Sequence, residues 1–411
     1  MGPDADSPGT ARSYVARQPV FDERLEVWGY ELLFRSGLQN WFPGTDLDEA
    51  ASRVIAHGSL LDDLATLTGG RRALVNVTRE VVLRGWIRLL PRSLTVVELL
   101  ESIVPDAELV AACRALRREG YALALDDFTG EAAWAPLVPL ADVVKIDVLA
   151  TSADERRGLV RELAGDGRLL LAEKVETRED VVQAREMGFT LFQGFFFARP
   201  AIVSRADVPP SKLHVLQLLR EIHRDDLDLD ELEQVIKQDL SLCYKLLRYI
   251  NSAMFGLRQE IRSVRRALVY LGPREVRKWT TLVAMTMLGA DRPEAVNQAI
   301  VRARFCESLA PRFGLDARGD DLFLVGMFSL LDTLLGRPLG ELLEPLPLPP
   351  DVKRALLGDG NALAAVREFV LRYERGDWAR AATPAPAEDE EVGRLYIDAV
   401  AWSGGTLRQG P

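Results

Sequence analysis

Two adjacent carboxylates, Asp126 and Asp127, close the short apolar run Tyr121-Ala122-Leu123-Ala124-Leu125. A run this short, followed by turn-forming residues, reads as a buried strand. Side chains alternate along a strand, so Asp126 shares a face with Ala122 and Ala124, opposite Leu123 and Leu125. Two acids at a buried strand end repel each other and lose hydration unless a cation or another partner compensates. For an isolated Asp-Asp pair, capping of the next turn is the commoner role.

The same design recurs along the chain. Residues 73–75 lead into Asn76, and residues 94–97 into Glu98, with Glu101 beyond. Residues 143–144 lead into Lys145, and Asp147 follows. Residues 169–172 lead into Glu173, with Glu176 beyond, and residues 189–192 into Gln193 and Gly194. Together with residues 122–125, six successive predicted strands deliver a polar or charged side chain at the carboxyl end. Amphipathic segments separate them, the pattern of a parallel sheet with covering helices. In a (β/α)8 barrel those strand ends converge on one rim, where active sites are built. Upstream, residues 13–21 and 25–35 read as a hairpin turning at Asp22-Glu23, and on its second strand Glu31, Leu33 and Arg35 share a face. A helical segment is expected from Asp48 to Leu67.

The residue types define the chemistry. Glu31, Asn76, Glu98, Asp126 and Asp127 offer hard oxygen ligands without Cys or His, which suits Mg²⁺ or Mn²⁺ rather than zinc. That many acids in one mouth can hold two ions about 3.5–4 Å apart, an arrangement that cleaves phosphodiesters by in-line attack. Lys145, the one cation on this rim, could orient or deprotonate water or offset phosphate charge. Arg35 could grip a phosphate through its planar fork. A Schiff-base lysine is the rival reading, and it leaves the five ligand-type residues without a role. Taken singly, each residue is more often a structural ion pair or cap; taken together they point to a metal site.

Composition bounds the possibilities. The 411 residues suggest two or more domains, with 48% hydrophobic and 27% charged residues, an ordinary globular balance. A net charge of −10, from 51 basic and 61 acidic residues, argues against a general nucleic-acid binder. Cys113, Cys243 and Cys306 are odd in number and far apart, so they read as core fillers in a reducing compartment. The N-terminal residues 1–12 read as a polar, disordered tail with no apolar leader. No stretch is long and apolar enough to span a bilayer, so a cytoplasmic protein without membrane association is expected.

These residues resemble the EAL-domain family of cyclic di-GMP phosphodiesterases. Its signature Glu appears in Gly29-Tyr30-Glu31-Leu32-Leu33-Phe34-Arg35, and Gln18-Pro19-Val20 is similar to the family's Gln-Pro-Ile segment. The resemblance covers residues 13–200. It implies a modified (β/α)8 TIM-type barrel whose first strand runs antiparallel, and hydrolysis of cyclic di-GMP to pGpG with two Mg²⁺ or Mn²⁺ ions. Glu31, Asn76, Glu98, Asp126 and Asp127 match the metal ligands. Lys145, Glu173 and Glu31 match catalytic residues, and Gln18, Arg35, Asp147 and Gln193 the substrate-binding set. Glu101 and Glu176 match residues that support the neighbouring loop. Two departures stand out: Thr129-Gly130-Glu131-Ala132-Ala133-Trp134-Ala135 replaces the usual Gly-Thr-Gly-Tyr-Ser-Ser-Leu loop, and Lys174 replaces a Gly in Ala172-Glu173-Lys174-Val175-Glu176. A barrel that binds the dinucleotide without cutting it, or serves as a scaffold, is the alternative reading.

Residues 203–210 read as a linker after a barrel domain of residues 13–202, and the pattern over residues 211–405 is helical. The stretches around Lys237-Gln238-Asp239-Leu240 and Ile261-Arg262-Ser263-Val264 resemble an HDOD domain, a helical relative of HD hydrolases. His214 and His223 are not followed by Asp, so no HD-type metal site is expected, and both read as surface or interface histidines. The resemblance implies a non-catalytic domain that contacts a signalling protein, and a homodimer is a further expectation. Arg258, Arg262, Arg265 and Arg266 read as a solvated helix face. Residues 381–391 read as a Pro-Ala-acidic loop.

Overall fold

The computed structural model describes residues 13–36, 59–163, 167–194, 210–224, 229–237, 240–251, 259–377 and 390–409. The expected N-terminal tail, the linker at 203–209 and all but the end of the 381–391 loop lie outside these residues. By packing, the chain divides into one unit of Met1–Phe196 with Leu371–Ile397 and another of Phe197–Val370 with Asp398–Pro411.

The first unit contains eight strands: β1 (Ser13–Asp22), β2 (Val27–Ser36), β3 (Arg72–Val77), β4 (Thr95–Leu99), β5 (Ala122–Leu125), β6 (Val143–Asp147), β7 (Leu169–Glu173) and β8 (Leu191–Phe192). They close into a barrel in sequence order. β1 is antiparallel to both β2 and β8, whereas the remaining neighbours are parallel. The cause lies in the connection. Only four residues separate β1 from β2, too few for a crossover helix, so the pair must fold as a hairpin. Asp22 fixes the turn by accepting hydrogen bonds from the amides of Arg24 (2.8 Å) and Glu26 (2.9 Å). Gly29 lets β2 approach β3, since a Cβ there would lie 2.9 Å from the Arg72 carbonyl oxygen.

Between the parallel strands run α1 (Ser59–Thr68), α2 (Arg79–Leu83), α3 (Ala107–Arg118), α4 (Ala153–Leu163) and α5 (Arg178–Met187). α1 is the described end of the helix expected over residues 48–67. Local signals set the starts: Asp106 caps α3 through the Leu109 amide, and Thr177 with Asp180 forms a capping box on α5. β8 is shorter than expected. Phe189 is buried ahead of it rather than in the ladder.

One buried layer crosses the barrel: Val20, Leu74, Val96, Ala124, Val143, Leu171 and Leu191. Each is inward-facing, so the residue two positions toward the mouth is inward-facing as well. Those residues are Gln18, Asn76, Glu98, Asp126, Lys145, Glu173 and Gln193. β1 runs in reverse, and its count therefore runs backward from Val20 to Gln18. The strand period alone converts an apolar floor into a polar ring.

Of the residues assigned to the helical domain from the sequence, 371–377 and 390–397 group with the barrel. The Tyr373 hydroxyl donates to the Val15 carbonyl at 3.0 Å, and its ring lies 5.2 Å from that of Tyr396.

The second unit contains helices and no strand among its described residues, including Pro210–Ile222, Leu229–Lys237, Leu240–Ile250, Val264–Leu288, Pro293–Ser308 and Gly319–Phe328. Val264–Leu288 is kinked where Gly272 adopts φ 73° ahead of Pro273, which has no amide proton to give. Arg262 and Arg265 are exposed and paired with Glu260, Asp230 and Glu233, the expected solvated face. Arg258 lies outside the described residues. Cys113 and Cys306 are buried fillers and Cys243 is half-buried. No helix among the described residues is long and apolar enough to cross a membrane.

The expectation for His223 needs correction. It is buried, hydrogen-bonded to the Thr281 hydroxyl at 3.1 Å, and edge-on to Phe328. It directly follows Pro210–Ile222, whose Val215, Leu218, Leu219 and Ile222 are buried, and burial and the nearby Arg277 push its pKa down to about 4. The side chain of His214 lies outside the described residues. A His kept neutral in the fold adds stability that is present above its unfolded pKa of about 6.5 and lost as pH falls through about 4. Hydrogen exchange should therefore show protection of residues 276–288 declining between pH 6.5 and 4.5. In a His223→Gln variant that decline should shrink, and an unchanged decline would assign it to other groups.

Candidate active site

The polar ring is a connected network. Lys145, 1% exposed, sits at its centre with Nζ 2.8 Å from Asp126 Oδ1, 3.0 Å from Glu173 Oε1 and 3.6 Å from Glu31 Oε2. It also donates to Glu98 Oε1. Gln193 Nε2 donates to Glu31 Oε2 at 2.6 Å and to Gln18 Oε1 at 3.2 Å, and Asn76 Nδ2 to Glu31 Oε1 at 3.3 Å. Gln18 and Glu31 are paired in the β1–β2 register, as are Asn76 and Glu98 between β3 and β4. Residues from six strands, with Asp126 and Gln193 from the ends of β5 and β8, therefore meet in one network.

A second group lies beside it. Asp147 accepts hydrogen bonds from the amides of Leu149 (2.7 Å) and Ala150 (3.0 Å) and from Lys174 Nζ. Asp127, at φ 40°, has Oδ1 3.8 Å from the same ammonium. Oxygens of Asp126, Asp127 and Glu173 come within 4.8 Å of one another.

Burial dominates the electrostatics. It pushes the Glu98 carboxyl well above the usual range and the Glu173 carboxyl up to about 8, against the pull of Lys145. Burial alone would depress Lys145; Glu31, Glu98, Glu173 and Asp126 outweigh it and hold the ammonium well above its ordinary value. Burial and then Asp126 raise Asp127. For Asp147 burial acts upward, but the Lys174 ammonium and the two amides leave it lowered.

The site retains unsatisfied acceptors. Asn76 Oδ1, Glu98 Oε2, Asp127 Oδ1 and Glu173 Oε2 are buried without a hydrogen-bond partner among the described residues. Buried acceptors of this kind cost stability unless something fills their lone pairs. All are hard oxygens converging on one mouth, and a divalent cation of the Mg²⁺ or Mn²⁺ class fits them.

The remaining expected residues are more peripheral. Glu101 is exposed. Glu176 is half-buried, its amide donating to Asp180 Oδ2 at 3.1 Å. Arg35 pairs with Tyr14 in the hairpin, and its side chain lies outside the described residues. The altered loop after Asp127 folds over α4: Trp134 is buried, and a Cβ on Gly130 would lie 2.8 Å from Leu159. Two features were not anticipated: Lys145 as the hub of four carboxylates, and Lys174 bridging Asp127 and Asp147. The only sequence signal for the latter was a lysine at a position that resembled a glycine.

The chain is similar to known proteins over most of its length. The EAL domain family matches residues 83–200, and the HDOD domain family residues 208–335. The chain is 36% identical to the cyclic di-GMP phosphodiesterase CdgJ of Vibrio cholerae over 398 residues, covering 95% of this chain and 92% of that protein. It is 34% identical to YuxH of Bacillus subtilis over 401 residues, covering 95% and 98%. Among solved structures it is similar to the manganese/cyclic di-GMP complex of Klebsiella pneumoniae BlrP1, at 22% identity and a TM-score of 0.39 over 47% of this chain and 57% of that one. An EAL domain protein of Listeria monocytogenes matches at 21% identity and a TM-score of 0.38, over 46% and 89%. With both domain families matched in succession and a relative at 36% identity along almost its whole length, the chain belongs to the EAL–HDOD family.

Proposed function

We propose that the barrel hydrolyses cyclic di-GMP to linear pGpG in bacterial second-messenger signalling. The observation that carries this reading is the ring of polar residues one strand step above the barrel floor, with four buried oxygens left unsatisfied. CdgJ, the full-length relative, is named a cyclic di-GMP phosphodiesterase. Glu31, Asn76, Glu98, Asp126 and Asp127 would hold two Mg²⁺ or Mn²⁺ ions. Bound there, such ions supply Lewis-acid stabilisation of the phosphate and a more acidic water.

The chain's own residues supply the rest. Lys145 is held charged by four carboxylates, so it positions those ligands and offsets phosphate charge rather than accepting a proton. Glu173, raised to about 8 and with Oε2 unoccupied, is the group poised to take a proton from the attacking water. Gln193 holds Glu31 in place and also bonds Gln18; Gln18, Arg35, Asp147 and Gln193 would contact the substrate. The helical unit contributes no hydrolytic centre; it acts as the contact surface for a signalling protein, in a cytoplasmic protein that can form a homodimer.

The test is hydrolysis of cyclic di-GMP by the full chain with Mn²⁺ or Mg²⁺, followed by chromatography of pGpG. Metal-dependent appearance of pGpG supports the reading. Tight binding of intact cyclic di-GMP at saturating metal would replace the enzyme by a sensor, and no binding would leave a scaffold.

A further inference from the structure

Lys174 occupies an unfavourable backbone position for a side chain. Its φ of 56° lies in the left-handed region, where a residue with a Cβ is strained and glycine is not. Such a conformation is retained when the surroundings hold it there, and the strain often sits at a functional site. Here the side chain does something a glycine cannot. Its Nζ is bound by Asp147, itself anchored by the amides of Leu149 and Ala150, and stands 3.8 Å from Asp127 Oδ1. That oxygen is buried and has no hydrogen-bond partner among the described residues. Lys145 already serves Glu31, Glu98, Asp126 and Glu173, so the two ammonium groups divide the acidic mouth between them.

We infer that Lys174 is a built-in cation on the Asp127 side of the centre, which makes the second of two divalent ions bind much more weakly than the first. This rests on the metal-centre reading above. An ion held by Asp127 would lie within a few ångströms of this half-exposed ammonium, and like charges at that range repel even where solvent screens them. An ion on the Glu31, Asn76 and Glu98 side would meet Lys145 instead, which is unchanged in any Lys174 variant. The negative charge of a phosphodiester would favour the second ion, so full loading would follow substrate binding.

Calorimetric titration of Mn²⁺ into the full chain, stripped with EDTA, tests this in wild type, Lys174→Gly and Lys174→Met. Glycine removes charge and strain together, whereas methionine keeps the length and removes only the charge. The expected result is a second dissociation constant at least ~10-fold weaker than the first in wild type. Both variants should tighten the second step by about 10-fold and leave the first within about 2-fold. Three superimposable isotherms overturn the inference, and so does tightening by glycine alone, which would assign the effect to strain. A chain that takes up no Mn²⁺ overturns it together with the metal centre. Two-step uptake with the expected changes, but no hydrolysis of cyclic di-GMP, supports the inference and refutes the proposed reaction alone.

Discussion

Asp126→Asn is expected to reduce the turnover of cyclic di-GMP by ~1000-fold or more while leaving the metal-free barrel folded. The size follows from what is removed. Asparagine keeps the shape of the side chain but not its charge, and about 4 kcal/mol of lost charge stabilisation in a water-poor site corresponds to ~1000-fold in rate. The fold should tolerate the change because Lys145 retains Glu31, Glu98 and Glu173 as partners. Glu31→Ala should lose as much activity and more stability, since Gln193, Asn76 and Lys145 all contact that carboxylate. The measurements are single-turnover hydrolysis with Mn²⁺ and thermal melts in EDTA. Undiminished turnover in Asp126→Asn would remove this carboxylate from the reaction. A large drop in the metal-free melting temperature would make it a structural ion pair instead.

The strand ends could be found in the sequence because a strand has a period of two and a barrel has only one inside. Once Ala124 is placed in the floor, Asp126 has to be in the mouth, and the same step connects Leu74 to Asn76 and Leu171 to Glu173. The antiparallel first strand came from the family resemblance, and the short Asp22 turn explains it physically. Other features depend on contacts distant in sequence. Lys145 becomes a hub only because β2, β4, β5 and β7 bring acids to it, and spacing along one strand does not reveal that. His223 was read as a surface or interface residue because no Asp follows it to make a metal site; Thr281 and Phe328, which enclose it, are more than fifty residues away. Residues 371–397 follow the helical domain in sequence, and nothing local marks Tyr373 as a partner of Val15. The left-handed backbone of Lys174 was equally hidden, since glycine is the residue that announces such a conformation.

Lys145→Met should produce the largest loss of stability, and its pH and metal dependence distinguish a hub from a simple filler. Methionine preserves much of the volume but leaves Glu31, Glu98, Asp126 and Glu173 facing one another without a cation. Removing one partner of a buried ion pair costs ~3–5 kcal/mol, because the remaining charge is uncompensated. Here the acids have an escape in protonation. Glu98 and Glu173 have folded pKa values above their unfolded value, so the stability they contribute is fully present below about pH 4.5, and that of Glu173 is lost as pH rises through about 8. Lys145 opposes that upward shift, and without it the two carboxyls hold their protons more tightly. The difference between wild type and Lys145→Met should accordingly be small near pH 5 and approach the full ~3–5 kcal/mol near pH 8. Mn²⁺ at pH 8 should recover much of the loss, because it supplies positive charge to the same oxygens. Urea unfolding at both pH values, in EDTA and in Mn²⁺, reads all four conditions. Equal losses at pH 5 and pH 8 with no recovery by Mn²⁺ would mean that Lys145 acts through packing alone, and that the acids around it are not poised for a cation.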